Sequence, residues 1–176
     1  SEGRRTRSHS TVVTDRNGEL LGARIARDGQ WRFPPSDTVP QKFQTAIVQF
    51  EDRWFNLHPG VNPVSILRAA VGNMKAGQVT SGGSTITMQV IRMSRGRERN
   101  LGQKIIEAIL ATRLELRCSK EEILGMYASH APFGGNVVGL EAASWRYFGR
   151  PPDELTWGEA ATLAVLPNAP AEIHPA

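Results

Sequence analysis

This sequence predicts a mainly α-helical domain with a small extended N-terminal piece, and three observations carry that reading. From Thr38 onward apolar residues recur at three- and four-residue spacing, beginning with Phe43, Ile47, Phe50 and Trp54. Serine or threonine stands three residues before glutamate at later helix starts, as in Ser119 with Glu122 and Thr156 with Glu159. Only STVVTDRNGELLGARI, residues 10–25, reads instead as two short extended runs around a turn at Asn17-Gly18.

The elements follow in order. Thr38 with Gln41 resembles a capping box opening the first helix. Asn62-Pro63 starts a second, with Val64, Leu67, Val71 and Met74 on one face and an end before Gly77. STITMQVIRM fits a helix through Ile86, Val90 and Met93 and a strand through Ile86, Met88 and Val90; Ser84 after two glycines, as an N-cap, favours the helix. Leu101 to Arg117 reads as a long helix with Leu101, Ile105, Ala108 and Thr112 along one stripe. The last helix stops at Pro167.

The chain has 176 residues, 40% hydrophobic and 22% charged, which suits one domain able to fold alone. No internal repeat appears. Cys118 is the only cysteine, which excludes an internal disulfide and a cysteine-based metal site. His9, His58, His130 and His174 form no pair at helical metal-ligand spacing, which argues against zinc. No apolar run approaches the roughly 20 residues of a spanning helix, and no signal peptide opens the chain. Because it begins at Ser1, we read it as a domain excised from a larger protein, with residues 1–9 a basic tail or linker and 10–176 the domain.

Basic residues outnumber acidic ones 21 to 17, and arginines cluster at Arg4, Arg5 and Arg7 and at Arg92, Arg95, Arg97 and Arg99. Such clusters suit a phosphate-bearing partner, whether a phosphorylated ligand, an anionic membrane surface or nucleic acid; solvated loops are the plain alternative.

Glu51 is the first candidate for chemistry. On a helix Ile47, Val48, Trp54 and Phe55 surround it, so the carboxylate loses hydration and becomes a better base near neutrality. Pro59, Gly60 and Pro63 break the chain just beyond, as at a cleft wall. His58 is as readily a helix-end cation as a catalytic group. In TSGGSTITMQ, Gly82-Gly83 lets backbone amides approach a ligand, and Ser84 and Thr85 put hydroxyls and free N–H groups at a helix start, a ready anion site. Downstream, Lys104 and Glu107 lie three apart on one helical face, either as an ordinary surface ion pair or as a cation for a phosphate with a carboxylate holding it.

In this order the segments resemble the family 51 glycosyltransferases, the peptidoglycan polymerase domains of bifunctional class A penicillin-binding proteins. E-D-x-x-F-x-x-H-x-G is met by Glu51, Asp52, Phe55, His58 and Gly60. G-G-S-T-[IL]-T-x-Q is met from Gly82 through Gln89. R-K-x-x-E is met at Lys104 and Glu107, with Gln103 where arginine is usual. The fourth motif is met at Lys120, Ile123, Leu124, Tyr127, Phe133 and Gly134, with Ala128-Ser129 in place of Leu-Asn. Met88 and APFGGNVVGLEAASW are most similar to the 1C branch of that family.

The resemblance implies a two-lobed, lysozyme-like helical fold that joins disaccharide units of lipid II into glycan strands with inversion, releasing undecaprenyl pyrophosphate. It implies Glu51 as general base, Lys104 with Arg92 and Arg99 neutralising the pyrophosphate, and Glu107 orienting that group or a divalent cation, magnesium or manganese, bound to it. Asp52, Phe55, His58, Gly82, Gly83, Ser84, Thr85 and Gln89 would bind substrate. No organic cofactor is implied. The partners would be lipid II, the growing glycan strand, the membrane surface, moenomycin-type inhibitors and cell-wall synthesis proteins, at the periplasmic face of the bacterial inner membrane. A lysozyme-like hydrolase or lytic transglycosylase is the rival enzyme, though it would have little use for a phosphate cradle. A weakly catalytic peptidoglycan-binding scaffold is the rival from another class, and a nucleic-acid binder fits less well, since no binding motif accompanies the basic residues.

Overall fold

The computed structural model describes residues 9–17, 20–34, 38–76, 83–96 and 101–168. Among these, two strands and seven α-helices run in the order β1 (Thr11–Thr14), β2 (Leu20–Arg24), α1 (Gln41–Glu51), α2 (Pro63–Ala76), α3 (Ile86–Arg95), α4 (Leu101–Glu115), α5 (Lys120–His130), α6 (Leu140–Phe148) and α7 (Trp157–Val165). The mainly helical architecture with its small two-stranded sheet agrees with the expected lysozyme-like helical fold with a small extended N-terminal piece.

The chain divides into two compact units. One, residues 1–43 with 131–176, holds the antiparallel β1–β2 pair, with a bulge at Val13/Thr14, and helices α6 and α7. Its core includes Phe33, Phe43, Phe133, Leu140, Leu155 and Leu163. The β-bridge from Trp31 to Val137 ties the two chain segments of this unit together. The other unit, residues 44–130, contains α2 to α5 and the end of α1, packed around Ile47, Phe55, Ile86, Met88, Ile123 and Tyr127. There α3 is the central element, packing on both α4 and α5.

Local chemistry explains several boundaries and moves others. Asn62 caps α2, accepting the Ser65 N–H on Oδ1 at 3.1 Å, with Pro63 at the first helical position as expected. Ser119 with Glu122, and Thr156 with Glu159, form the expected reciprocal capping boxes on α5 and α7. Helix α1 starts at Gln41, three residues after Thr38 and directly after Pro40. It ends at Glu51, which takes Trp54 off the helical stripe. α3 is a helix, but its N-cap is Thr85 instead of Ser84: Thr85 Oγ1 accepts the Met88 N–H at 3.1 Å. Helix α4 ends at Glu115, two residues before Arg117, and α7 ends at Val165 with Pro167 inside a following 3₁₀ turn. Helix α6 was not foreseen, because its short apolar run sits among glycines.

The stripe expected on α2 faces outward, and that expected on α4 does so only at Ile105, with Ala108 and Thr112 half-buried. Val64, Leu67 and Val71 of α2 are exposed, Leu67 to 67%. On α4 Ile105 is exposed, while Glu107 and Ala111 turn inward with the Glu115 side chain. The Met74 and Leu101 side chains, and the cluster Arg4, Arg5 and Arg7, lie outside what the structure describes.

Candidate active site

The site lies within the second unit, where the end of α1 meets α3. Glu51 is the last residue of α1 and half-buried. The Gln89 side chain, one turn into α3, donates Nε2–H to Glu51 Oε2 at 2.8 Å. Three residues on, and so on the same face of α3, Arg92 grips Glu107 of α4. Its Nε reaches both carboxylate oxygens at 3.2 Å, and NH2 reaches Oε2 at 2.8 Å. The same NH2 donates to Ser84 Oγ at 3.2 Å. The predicted base and one of the predicted cations therefore share one helix as their support.

Helix α3 can present both groups because its N-terminus is fastened from below. Asp52 and His58 are 6% and 7% exposed, with His58 Nε2 at 2.8 Å from Asp52 Oδ2. His58 Nδ1 accepts the Gly60 N–H at 3.2 Å, so the hydrogen sits on Nε2 and is donated to Asp52. Asp52 Oδ2 also accepts the Ile86 N–H, the first amide of α3, at 3.2 Å. Thr85 Oγ1 donates to the Gly60 carbonyl at 2.6 Å. Phe55 is fully buried, its ring edge-on to His58 and covered by Lys120 Nζ 4.4 Å from the ring centroid. Asp52, Phe55 and His58 thus hold the site's frame from inside the core, where a substrate would not touch them.

The glycines have packing reasons of their own. A Cβ on Gly60, at φ +91°, would stand 2.7 Å from the Ala111 carbonyl carbon on α4. One on Gly83 would stand 2.8 Å from Ile66 Cα on α2. Gly83 is therefore required where the loop crosses α2, a constraint that the expected ligand approach does not need. Gly82 and Arg99 lie outside the described residues.

Lys104 and Glu107 share a face of α4, as the spacing predicts, but they make no ion pair; Glu107 is committed to Arg92. Lys104 is half-buried and has no hydrogen-bond or ion-pair partner among the described residues. With both oxygens of Glu107 on the guanidinium, the carboxylate is a poor ligand for a divalent cation. No group of three or more potential metal-ligating side chains occurs among the described residues.

One residue near the site, Glu115, escaped sequence reasoning. Glu115, with its side chain 7% exposed, accepts from Thr87 at 2.6 Å and pairs with Lys120 at 2.7 Å. Tyr127 of α5 is fully buried, its hydroxyl without a hydrogen-bond partner among the described residues, and burial followed by the charge of Glu51 pushes the phenol far above its usual range. The one available signal was the placement of Glu115 four residues after Ala111 on the inward stripe of α4. Of the two departures in the fourth motif, Ala128 is buried, and Ser129 donates to the Gly125 carbonyl within its own helix at 2.8 Å.

A helical domain that places one carboxylate beside a guanidinium on a common support has the parts of a glycosyl-transfer enzyme with an anionic leaving group. Residues 17–176 match the family model described as Transglycosylase, and the chain belongs to that family. It is 46% identical over 165 residues to penicillin-binding protein 1C of Escherichia coli (strain K12), covering 93% of this chain and 21% of that protein. It is 41% identical over 172 residues to penicillin-binding protein 1A of Aquifex aeolicus (strain VF5), covering 97% and 23%. Against penicillin-binding protein 1A of Escherichia coli (strain K12) the identity is 40% over 162 residues, covering 90% and 19%. The chain spans about a fifth of the length of these curated relatives.

Proposed function

We propose that this domain is a peptidoglycan glycosyltransferase that polymerises lipid II. Glu51 takes the proton from the 4-hydroxyl of the acceptor sugar as that oxygen attacks the anomeric carbon of the donor strand. The bond to the pyrophosphate breaks, the configuration inverts, and undecaprenyl pyrophosphate leaves as an anion that needs no proton. Arg92, Lys104 and Arg99 neutralise it. Ser84 and Gln89, with Gly82, line the donor side, while Thr85, 1% exposed with its hydroxyl on the Gly60 carbonyl and the Met88 N–H, holds the turn from beneath together with Gly83. A magnesium or manganese ion bound with the pyrophosphate would add to the positive charge that neutralises the leaving group.

The observation that carries this reading is the pairing of Glu51 with Gln89 one turn from Arg92 with Glu107. A two-carboxylate hydrolase needs its second carboxyl group as an acid, a nucleophile or a base. Here the second carboxylate is occupied by a guanidinium, which favours polymerisation over hydrolysis. The exposed Trp54, Leu57, Leu67, Ile105 and Ile109 in this unit support a membrane-surface partner, as a lipid-linked substrate requires. No helix among the described residues is long and apolar enough to cross a membrane. We place the domain at the periplasmic face of the inner membrane, bound to lipid II, the growing glycan and moenomycin-type inhibitors, with cell-wall synthesis proteins as neighbours.

Given lipid II in detergent with a divalent cation, the protein should form glycan strands and Glu51→Gln should form none. Polymerisation by that variant overturns the base assignment. Shortening of existing strands by wild type would establish the hydrolase, and moenomycin binding without turnover the scaffold.

A further inference from the structure

Glu115, Lys120 and Thr87 close a circuit of hydrogen bonds around the N-terminus of α3. Starting at the Ile86 N–H, the circuit passes to Asp52 Oδ2 at 3.2 Å and on to His58 Nε2 at 2.8 Å. The His58 carbonyl accepts from Lys120 Nζ at 2.8 Å. Lys120 also pairs with Glu115 Oε2 at 2.7 Å, and Glu115 Oε1 accepts from Thr87 Oγ1 at 2.6 Å. Thr87 adjoins Ile86, so the circuit returns to where it began. Gln89, which holds Glu51, lies two residues beyond Thr87 on the same helix.

We infer that Glu115, Lys120 and Thr87 are positioning residues for the reaction, which fix α3 against the segment after Glu51 so that Gln89 stays in register with the carboxylate. The inference rests on the reading of Glu51 as the general base. Three features support it. Each link joins a different element: the segment 52–60, α5, the C-terminus of α4, and α3. Thr87 is fully buried and the Glu115 side chain nearly so, and a buried charged network holds a unique arrangement only when every member is satisfied. Gly60, two residues beyond His58 and donating its N–H to His58 Nδ1, is pressed against the α4 backbone, so the segment has little slack to absorb a lost link. A misplacement on the order of 1 Å at a catalytic group costs about a hundredfold in rate.

The experiment is a set of double-mutant cycles on lipid II polymerisation, with Glu51→Gln as control. Thr87→Val removes one hydroxyl at constant shape, and Glu115→Gln removes the charge that Lys120 meets. Each is measured alone and combined with Gln89→Ala. The expected result is a fall in kcat of about tenfold for each single variant with KM changed less than about twofold. The loss should vanish in the Gln89→Ala background, because the circuit acts through Gln89. Thr87→Ser, which keeps the hydroxyl, should restore wild-type kcat. Additive losses overturn the inference, as does a fall in kcat that tracks the folded fraction measured by circular dichroism or that Thr87→Ser fails to rescue. If a variant does not fold, the other link supplies the cycle. Full activity in Glu51→Gln would instead remove the base reading, whereas an inactive Glu51→Gln with additive cycles would remove only the circuit.

Discussion

Arg92 meets Glu107 as a fork on a carboxylate, with both Nε and NH2 of the guanidinium engaged. This orientation leaves the cation fixed before any phosphate arrives, so little reorganisation accompanies the departure of the pyrophosphate. An ammonium cannot reproduce a planar fork. Arg92→Lys should therefore lower polymerisation and weaken a fluorescent moenomycin probe by about tenfold or more, with a smaller loss for Glu107→Gln. Wild-type binding of the probe by Arg92→Lys would take Arg92 out of the phosphate grip.

The two glycines pressed against helix backbones should be the least replaceable in the chain. Gly83→Ala, against Ile66, and Gly60→Ala, against Ala111 and at positive φ, should each cost about 3 kcal/mol or more. Gly96, which ends α3 at φ +58° with nothing within 4 Å, should tolerate alanine at about 1 kcal/mol. Urea midpoints of the three variants would rank them. Equal midpoints would show that the close approaches relax.

Membrane attachment should depend on the outward apolar stripes. Leu67→Glu and Ile105→Glu place a charge at positions 67% and 63% exposed, so thermal midpoints should hardly move. Co-sedimentation with anionic lipid vesicles should fall. Undiminished sedimentation of the double variant would assign attachment to another part of the protein.

Glu141, in the first turn of α6, gives a pH test of the other unit. Burial pushes its carboxyl above the usual range, the Asp153 charge adds to this, and a hydrogen bond with Trp145 opposes it. The folded state thus binds that proton more tightly than the unfolded chain. Its favourable contribution is present below the unfolded value and is lost as pH rises through the folded one. Glu141→Gln should raise the thermal midpoint at neutral pH by about a degree or two, the gain shrinking to nothing towards about pH 4. A gain independent of pH would point to packing.

Some of this was legible in the residues themselves. Capping pairs at Ser119 and Thr156, and Pro63 behind Asn62, mark helix starts through bonds within four residues, so no tertiary contact is needed to form them. Thr85 took the cap that Ser84 seemed to offer because its hydroxyl also reaches the Gly60 carbonyl, 25 residues away. The apolar spacing of α2 and α4 shows that a stripe exists, but periodicity cannot say whether the core or a lipid surface covers it. On α4 the stripe turned inward carries Glu107 and Glu115, polar groups that only buried partners make tolerable there.

By itself the sequence determined the helical class, most helix starts, the order of the four motifs and the identity of Glu51 as the candidate base. All of these depend on neighbours close along the chain or on residue type. Only the tertiary structure decided that Asp52 and His58 hold the frame, that Glu107 answers Arg92 in place of Lys104, and that Glu115 belongs to the site's support. Those outcomes are competitions among buried polar groups for partners 5 to 34 residues apart, and they are settled by which groups packing brings within hydrogen-bond distance.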